Sequence, residues 1–180
     1  VDKNGGAYIG NFGFDRHAGE KPKPTTLVRV DPNGEASIAA EDLWFPNGAV
    51  ITPNNSTLII AETRASRLTA FDILQNGELK NRRVFAETNN MYPDGICLDE
   101  EGAIWVADPK NKEVIRIKEG GEITDKLQLE TRGAYACMLG GNDGKTLFVC
   151  TNTGSGPDIA NQRAGKIETT RVKIAKAGRP

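Results

Sequence analysis

Two residues carry oxygen donors in matching surroundings. Asp94 stands between Pro93 and Gly95 in "YPDGICLDEEGAIWVAD" (92–108), and Asn47 stands between Pro46 and Gly48 in "FPNGAVITPNNSTLIIAET" (45–63). Each precedes an apolar run. A carboxylate and an amide carbonyl that converge suit a hard divalent cation. Such an ion can polarise a substrate carbonyl, and a nearby Asp can serve as general base toward water. The same tripeptides are also common turn sequences, in which an Asx side chain hydrogen-bonds its own backbone. On the residues alone both readings stay open.

Other chemistries lack their parts. The sequence has one histidine, His17, in the polar stretch "RHAGEKPKP", where a solvated loop residue is expected. A Ser/His/Asp triad would need it, and no G-x-S-x-G motif accompanies it. His/Cys clusters of the zinc type are missing, and "GNFGF" lacks the Lys-Ser/Thr ending of a phosphate loop. The net charge is −1 and no Lys/Arg cluster stands out, so neither nucleic acid nor membrane is expected as a partner. No apolar run approaches the ~20 residues of a membrane span. Cys97, Cys137 and Cys150 lie in or beside apolar runs without CxxC spacing, which predicts buried free thiols and a reducing, cytoplasmic setting. "NNST" contains two glycosylation-type triplets, at Asn54 and Asn55, better read as a hairpin turn.

The elements that must position Asn47 and Asp94 repeat. "GGAYIGN" (5–11), "STLIIAE" (56–62), "GAIWVAD" (102–108) and "KTLFVCT" (145–151) align on Tyr8, Ile59, Trp105 and Phe148, at spacings of 51, 46 and 43. A period of this length belongs to propellers and helical arrays. The runs are short, β-branched and aromatic, and turn residues bound them, so strands must fill it. Each period reads as four antiparallel strands, the unit of a propeller blade. The predicted fold is all-β, nearly four four-stranded blades in one domain over 1–180. The first unit lacks its opening strand and the last has three, ending near "KIETTRVKI" (166–174). Such open edges invite pairing, so missing sequence, another chain or closure into a small propeller is expected to cap them. Asp-rich turns such as "DPNGE" lack the ligand alternation and closing Glu of a calcium loop.

In an up-and-down blade, the segment before the first strand shares a face with the loop joining second to third strands. Asn47 and Asp94 should therefore meet near the central axis. The loop tips Asn11–Lys21, Glu62–Arg67, Asp108–Lys112 and Thr151–Gln162 should lie beside them, making Glu62, Arg64, Asp108 and Asn152 candidate substrate contacts. In the last copy the slot of Asn47 and Asp94 is assigned to Cys137, expected to pack beneath the site.

These segments, with "CMLGGNDGKTLFVCT" (137–151) and the tail "GKIETTRVKIAKAGRP" (165–180), resemble the senescence-marker-protein/gluconolactonase/luciferin-regenerating-enzyme family of six-bladed propellers. The resemblance runs along nearly the whole chain. It implies one divalent ion, calcium or zinc with magnesium possible, held by an N-terminal Glu, the Asn of Pro-Asn-Gly and the Asp of Pro-Asp-Gly. Asn47 and Asp94 match the last two. It further implies a small-molecule lactone substrate, with Asp94 assisting water attack on the carbonyl, and side activities on esters or organophosphates. The family's first-blade Glu and its Arg-x-Asn-Asp-type substrate segment have no counterpart here. The chain is thus expected to be the C-terminal part of a member, pairing with a missing N-terminal part or another chain. A non-catalytic calcium-binding propeller is the alternative reading, and a metal-free strictosidine-synthase-like propeller is a third.

Overall fold

A computed structural model describes residues 1–16 and 18–178, so His17 lies outside the described residues. Four antiparallel sheets follow one another along the chain. The first comprises β1 (Ala7–Ile9), β2 (Thr25–Val30) and β3 (Ala36–Leu43). The second comprises β4 (Pro46–Ile51), β5 (Thr57–Glu62), β6 (Arg67–Ile73) and β7 (Leu79–Glu87). The third comprises β8 (Ile96–Leu98), β9 (Ile104–Asp108), β10 (Glu113–Ile117) and β11 (Ile123–Gln128). The fourth comprises β12 (Gly133–Gly140), β13 (Thr146–Asn152) and β14 (Lys166–Arg171). The two inner sheets have four strands and the two outer ones three, as the repeat predicts. Among the described residues the one helical segment is a short 3-10 turn, Pro157–Ile159, and no helix is long and apolar enough to cross a membrane.

The sheets pack face to face in chain order, and strand alternation does the sorting. Side chains along a strand point to opposite faces with period two. On β5, Leu58 and Ile60 join Leu27, Leu43 and Phe71 toward the first sheet, while Ile59 and Ala61 join Val106, Ile115 and Ile117 toward the third. On β9, Ile104 and Val106 face the second sheet, while Trp105 and Ala107 pack with Leu139, Leu147 and Val149 of the fourth. Both faces of an inner sheet are therefore dry. That is why "LIIA" and "IWVA" are continuous apolar runs and not half-polar alternations.

Turn side chains close the hairpins. Asp99 accepts from the amides of Glu101 (3.0 Å) and Ala103 (3.1 Å), and its other oxygen takes Arg116 Nε at 2.6 Å in a buried ion pair. Asn54 accepts from the Ser56 amide at 3.1 Å. The side-chain oxygens of these turns are thus committed to backbone donors and, at Asp99, to an arginine.

Candidate functional site

The two Pro-Asx-Gly segments form the same device. On β4, Pro46 pairs with Glu62 and Ala49 with Ile60, so Asn47 and Gly48 oppose the single residue Ala61. The strand therefore begins at Pro46, ahead of the apolar run, because the polar pair is a β-bulge inside the ladder and not a turn before it. At Asp94-Gly95 the pattern repeats: the Asp94 amide donates to Ala107 O (2.9 Å), the Ala107 amide donates to Gly95 O (3.0 Å), and Ile96 resumes pairing with Val106. Bulges re-aim side chains and favour functional edges of sheets.

Neighbouring sheets are stitched at these bulges. The Gly48 amide donates to Asp94 O at 3.1 Å, and the Gly95 amide donates to Tyr135 O at 2.9 Å. Thr63 Oγ1 donates to Pro93 O (2.7 Å) and accepts from Asn47 Nδ2 (3.3 Å), tying the Asn47 side chain to the segment that carries Asp94. Both glycines are needed for the approach. A Cβ on Gly48 would lie 2.5 Å from Asp94 O and 2.6 Å from Ile96 N, and one on Gly95 would lie 2.6 Å from Ala136 Cα. Overpacking against backbone costs about 1–3 kcal/mol. We predict that Gly48→Ala lowers stability by about 2 kcal/mol in urea unfolding and weakens any ion binding that uses both Asn47 and Asp94. Gly165→Ala, where nothing lies within 4 Å of the added carbon, should be neutral in the same assay.

The stitching corrects one assignment. Gly48 meets Gly95 as Gly95 meets Ala136, so the slot of Asn47 and Asp94 holds Tyr135 in the fourth sheet, not Cys137. Tyr135 is the bulged residue there, between the pairs Ala134–Thr151 and Ala136–Cys150. Cys137 is buried beneath it, its Sγ 3.9 Å from Cys97 Sγ and 3.4 Å from Trp105 O. Cys150 is exposed, against the expectation of three buried thiols. It lies on the uncovered face of the last sheet, in a cavity of about 650 Å³ shared with Ile167 and Ile159.

Asn47 and Asp94 line a cleft of about 490 Å³ together with Thr63, Arg64, Tyr92, Lys110, Arg16 and Tyr135. Phe12 stacks on Phe45 at 4.2 Å to form an aromatic wall. Burial in this cleft pushes the Asp94 carboxyl up to about 6, and Asp108 adds to the shift. The Asn47 amide, the more distant charge of Arg16 and the Gly95 amide pull it back only in part. Strongly shifted carboxyls in clefts mark functional candidates. Hard oxygen donors beside a desolvated carboxylate fit a divalent cation, which would supply the missing counter-charge. Among the described residues no group of three or more His, Cys, Asp or Glu side chains gathers, so these two would supply part of a coordination shell.

The predicted substrate contacts divide. Arg64 lines the cleft. Glu62 does not: it is fully buried and accepts from the Trp44 amide (2.7 Å), Arg67 Nε (3.0 Å), Arg82 Nη2 (3.3 Å) and Thr69 Oγ1. Asp108 is likewise fully buried. It accepts from the amides of Tyr92 (3.2 Å), Lys110 (2.9 Å) and Asn111 (3.1 Å) and from Asn111 Nδ2 (2.7 Å). An acid at the end of a buried strand meets more N–H donors inward than outward, and both turn in. Asn152 caps its own loop, accepting from the Thr153 amide at 2.8 Å, and faces the larger cavity. Sequence reading missed Arg16, Tyr92, Lys110 and Tyr135 as individuals, although the first and third lie on loops predicted to share this face.

Known proteins resemble the chain along most of its length. Residues 1–153 match the family described as SMP-30/Gluconolactonase/LRE-like region. A 6-deoxy-6-sulfogluconolactonase of Pseudomonas putida is 27% identical over 172 residues, covering 92% of this chain and 57% of the relative. A regucalcin of Oryctolagus cuniculus is 29% identical over 155 residues, covering 83% and 50%. The crystal structure of a calcium-binding protein, regucalcin, from Agrobacterium tumefaciens superposes with a TM-score of 0.68 at 23% identity, covering 86% of this chain and 54% of the other. The chain thus spans about half the length of the relatives it matches. A family match over 1–153, joined to the order of the four sheets and the paired Pro-Asx-Gly bulges, assigns the chain to the SMP-30/gluconolactonase/LRE-like family.

Proposed function

We propose that the protein is a metal-dependent lactone hydrolase whose four sheets are blades of a six-bladed propeller, with Asn47 and Asp94 as protein ligands of a divalent ion, calcium in the first instance. The observation that carries this reading is the pair of equivalent bulges, which bring a desolvated carboxylate and an amide to one cleft. The family and the sulfogluconolactonase relative support the substrate class, and the calcium-binding neighbour supports the ion.

The bound ion would supply Lewis-acid polarisation of the lactone carbonyl. The chain's own groups do the rest. Thr63 and the Gly48 amide fix Asn47 relative to Asp94. Asp94, the one carboxylate lining the cleft, is placed to act as general base toward water. It would draw a proton from the attacking water as the ring C–O bond opens to the hydroxy acid. Phe12 and Phe45 offer an apolar wall to the ring.

The test is lactone hydrolysis with and without added calcium or zinc, across pH. The ion must displace the Asp94 proton, so affinity should fall as pH drops below about 6. Ion uptake between pH 5 and 6 should release up to one proton, read by calorimetry in two buffers of different ionisation enthalpy. Turnover indifferent to chelation would remove the metal from the reading. The calcium-binding neighbour also favours a non-catalytic calcium-binding propeller, and ion binding without any lactone turnover would select it.

A further inference from the structure

The cleft carries more positive charge than a neutral sugar lactone requires. Arg16, Arg64 and Lys110 line it, and Asp94 is the one carboxylate among its lining residues. Among the described residues Arg64 and Lys110 form no ion pair with the acids that line or flank the cleft, and Arg16 acts on Asp94 only through its more distant charge. Other arginines of the inner sheets are matched: Arg67 and Arg82 to Glu62, Arg83 to Asp72, Arg116 to Asp99. Cations that outnumber the carboxylates of one concavity repel one another and raise its potential, which attracts and holds an anion.

Two of the cations share a platform. Lys110 Nζ stands 4.1 Å from the Tyr92 ring centroid and 3.0 Å from the Tyr92 hydroxyl, to which it donates. Arg64 Cζ is 6.0 Å from the centre of the same ring. A half-buried aromatic thus braces both charged groups without neutralising either. Tyr92 is held in turn, because its amide donates to Asp108 and Met91 before it is buried. Arg16 approaches from the loop before β2, its Nη2 donating to Ser155 Oγ at 3.3 Å. Arginine presents a fork of donors and lysine a point charge, a combination suited to a tetrahedral oxyanion.

We propose, resting on the lactonase reading above, that the substrate is an anionic lactone: a sugar-acid lactone bearing a sulfonate or phosphate remote from its carbonyl, with Arg64 and Lys110 gripping the anion on Tyr92. Hydrolysis adds water across the ring ester and leaves the anionic group untouched, so these residues set specificity and take no part in bond breaking.

The experiment compares the 1,5-lactone of gluconic acid with its 6-sulfonate and 6-phosphate counterparts, on the calcium- or zinc-loaded protein and on Arg64→Gln/Lys110→Gln. The anionic lactones should exceed the neutral one at least tenfold in kcat/KM. The double variant should lower kcat/KM for the anionic lactones at least tenfold more than for the neutral one, chiefly through KM. Added salt should narrow the difference. Whichever anion is preferred identifies the group, and a preference for either supports the proposal. Equal turnover of all three lactones, or an equal fall in the double variant, overturns it. If no lactone is turned over, calorimetric titration with ring-opened 6-phosphogluconate and 6-sulfogluconate decides. Binding that the double variant loses keeps the anion site and sinks the lactonase reading, whereas absence of binding sinks the anion site itself.

Discussion

Asp94→Asn should lower metal-dependent lactone turnover by at least about a thousandfold, the scale expected when an electrostatic stabiliser or a base acting with it is lost. The same substitution should leave the metal-free protein as stable or more so. The sign follows from burial. The native carboxyl is raised from its ordinary value of 3.8 to about 6. Between those values the native state binds more protons than the unfolded chain, so stability falls as pH rises through that window. Above pH 6 the wild type carries the full cost of a half-buried charge. Asparagine carries none, so a gain on the order of 1–2 kcal/mol is expected in metal-free urea unfolding at pH 7. Adding the ion should reverse the order, stabilising the wild type by mass action and the variant little. This crossing separates a ligand from a structural Asx residue. A carboxylate that merely capped its own turn would destabilise the protein on replacement, with or without ion. Turnover unchanged in the variant would remove Asp94 as base and ligand together.

The repeat was legible because the inner sheets bury both faces. Burial on two sides forces continuous apolar runs at β5 and β9, and these recur at the period of the repeat. Asn47 and Asp94 were legible because each bulge needs a glycine where the neighbouring sheet's backbone approaches, and proline precedes each pair. In the fourth sheet the same slot has neither signal. Alanine stands where glycine stood, so the bulge at Tyr135 is invisible in the sequence and the slot was assigned two residues late, to Cys137. Loop-tip acids were misplaced for another reason. Whether a carboxylate at a strand end points to the cleft or inward depends on donors that converge only in three dimensions. For Glu62 these are two arginines from β6 and β7 and an amide from the turn before β4. The basic character of the cleft was hidden in the same way. Arg16, Arg64 and Lys110 are far apart in sequence and form no charge run, and only the stacking of sheets gathers them.

Glu62 is expected to be the costliest side chain to remove among those named as site candidates, and the cost should fall on stability. Glu62→Ala leaves Arg67, Arg82, Thr69 Oγ1 and the Trp44 amide without their common acceptor. Removing one member of a buried ion pair costs about 3–5 kcal/mol. Arg67 and Arg82 keep partial access to water, which places the expected loss at the lower end of that range, about 3 kcal/mol. Glu62→Gln keeps the shape and part of the bonding and should cost less than the alanine. The pH profile identifies the cause. Burial works to raise the Glu62 carboxyl, but hydrogen bonds from Arg67, Thr69 and the Trp44 amide outweigh it, and the net shift is below the ordinary 4.5. A carboxylate with a depressed native value contributes stability that is complete above its unfolded value and is lost as pH falls through its native one. The wild type should therefore weaken on the acid side of pH 4.5, and Glu62→Gln should show a flatter acid limb in the same urea series. Parallel acid limbs would mean that the arginines hold the strand end without it. A loss of lactone affinity with stability intact would instead return Glu62 to the cleft, a role that its complete burial argues against.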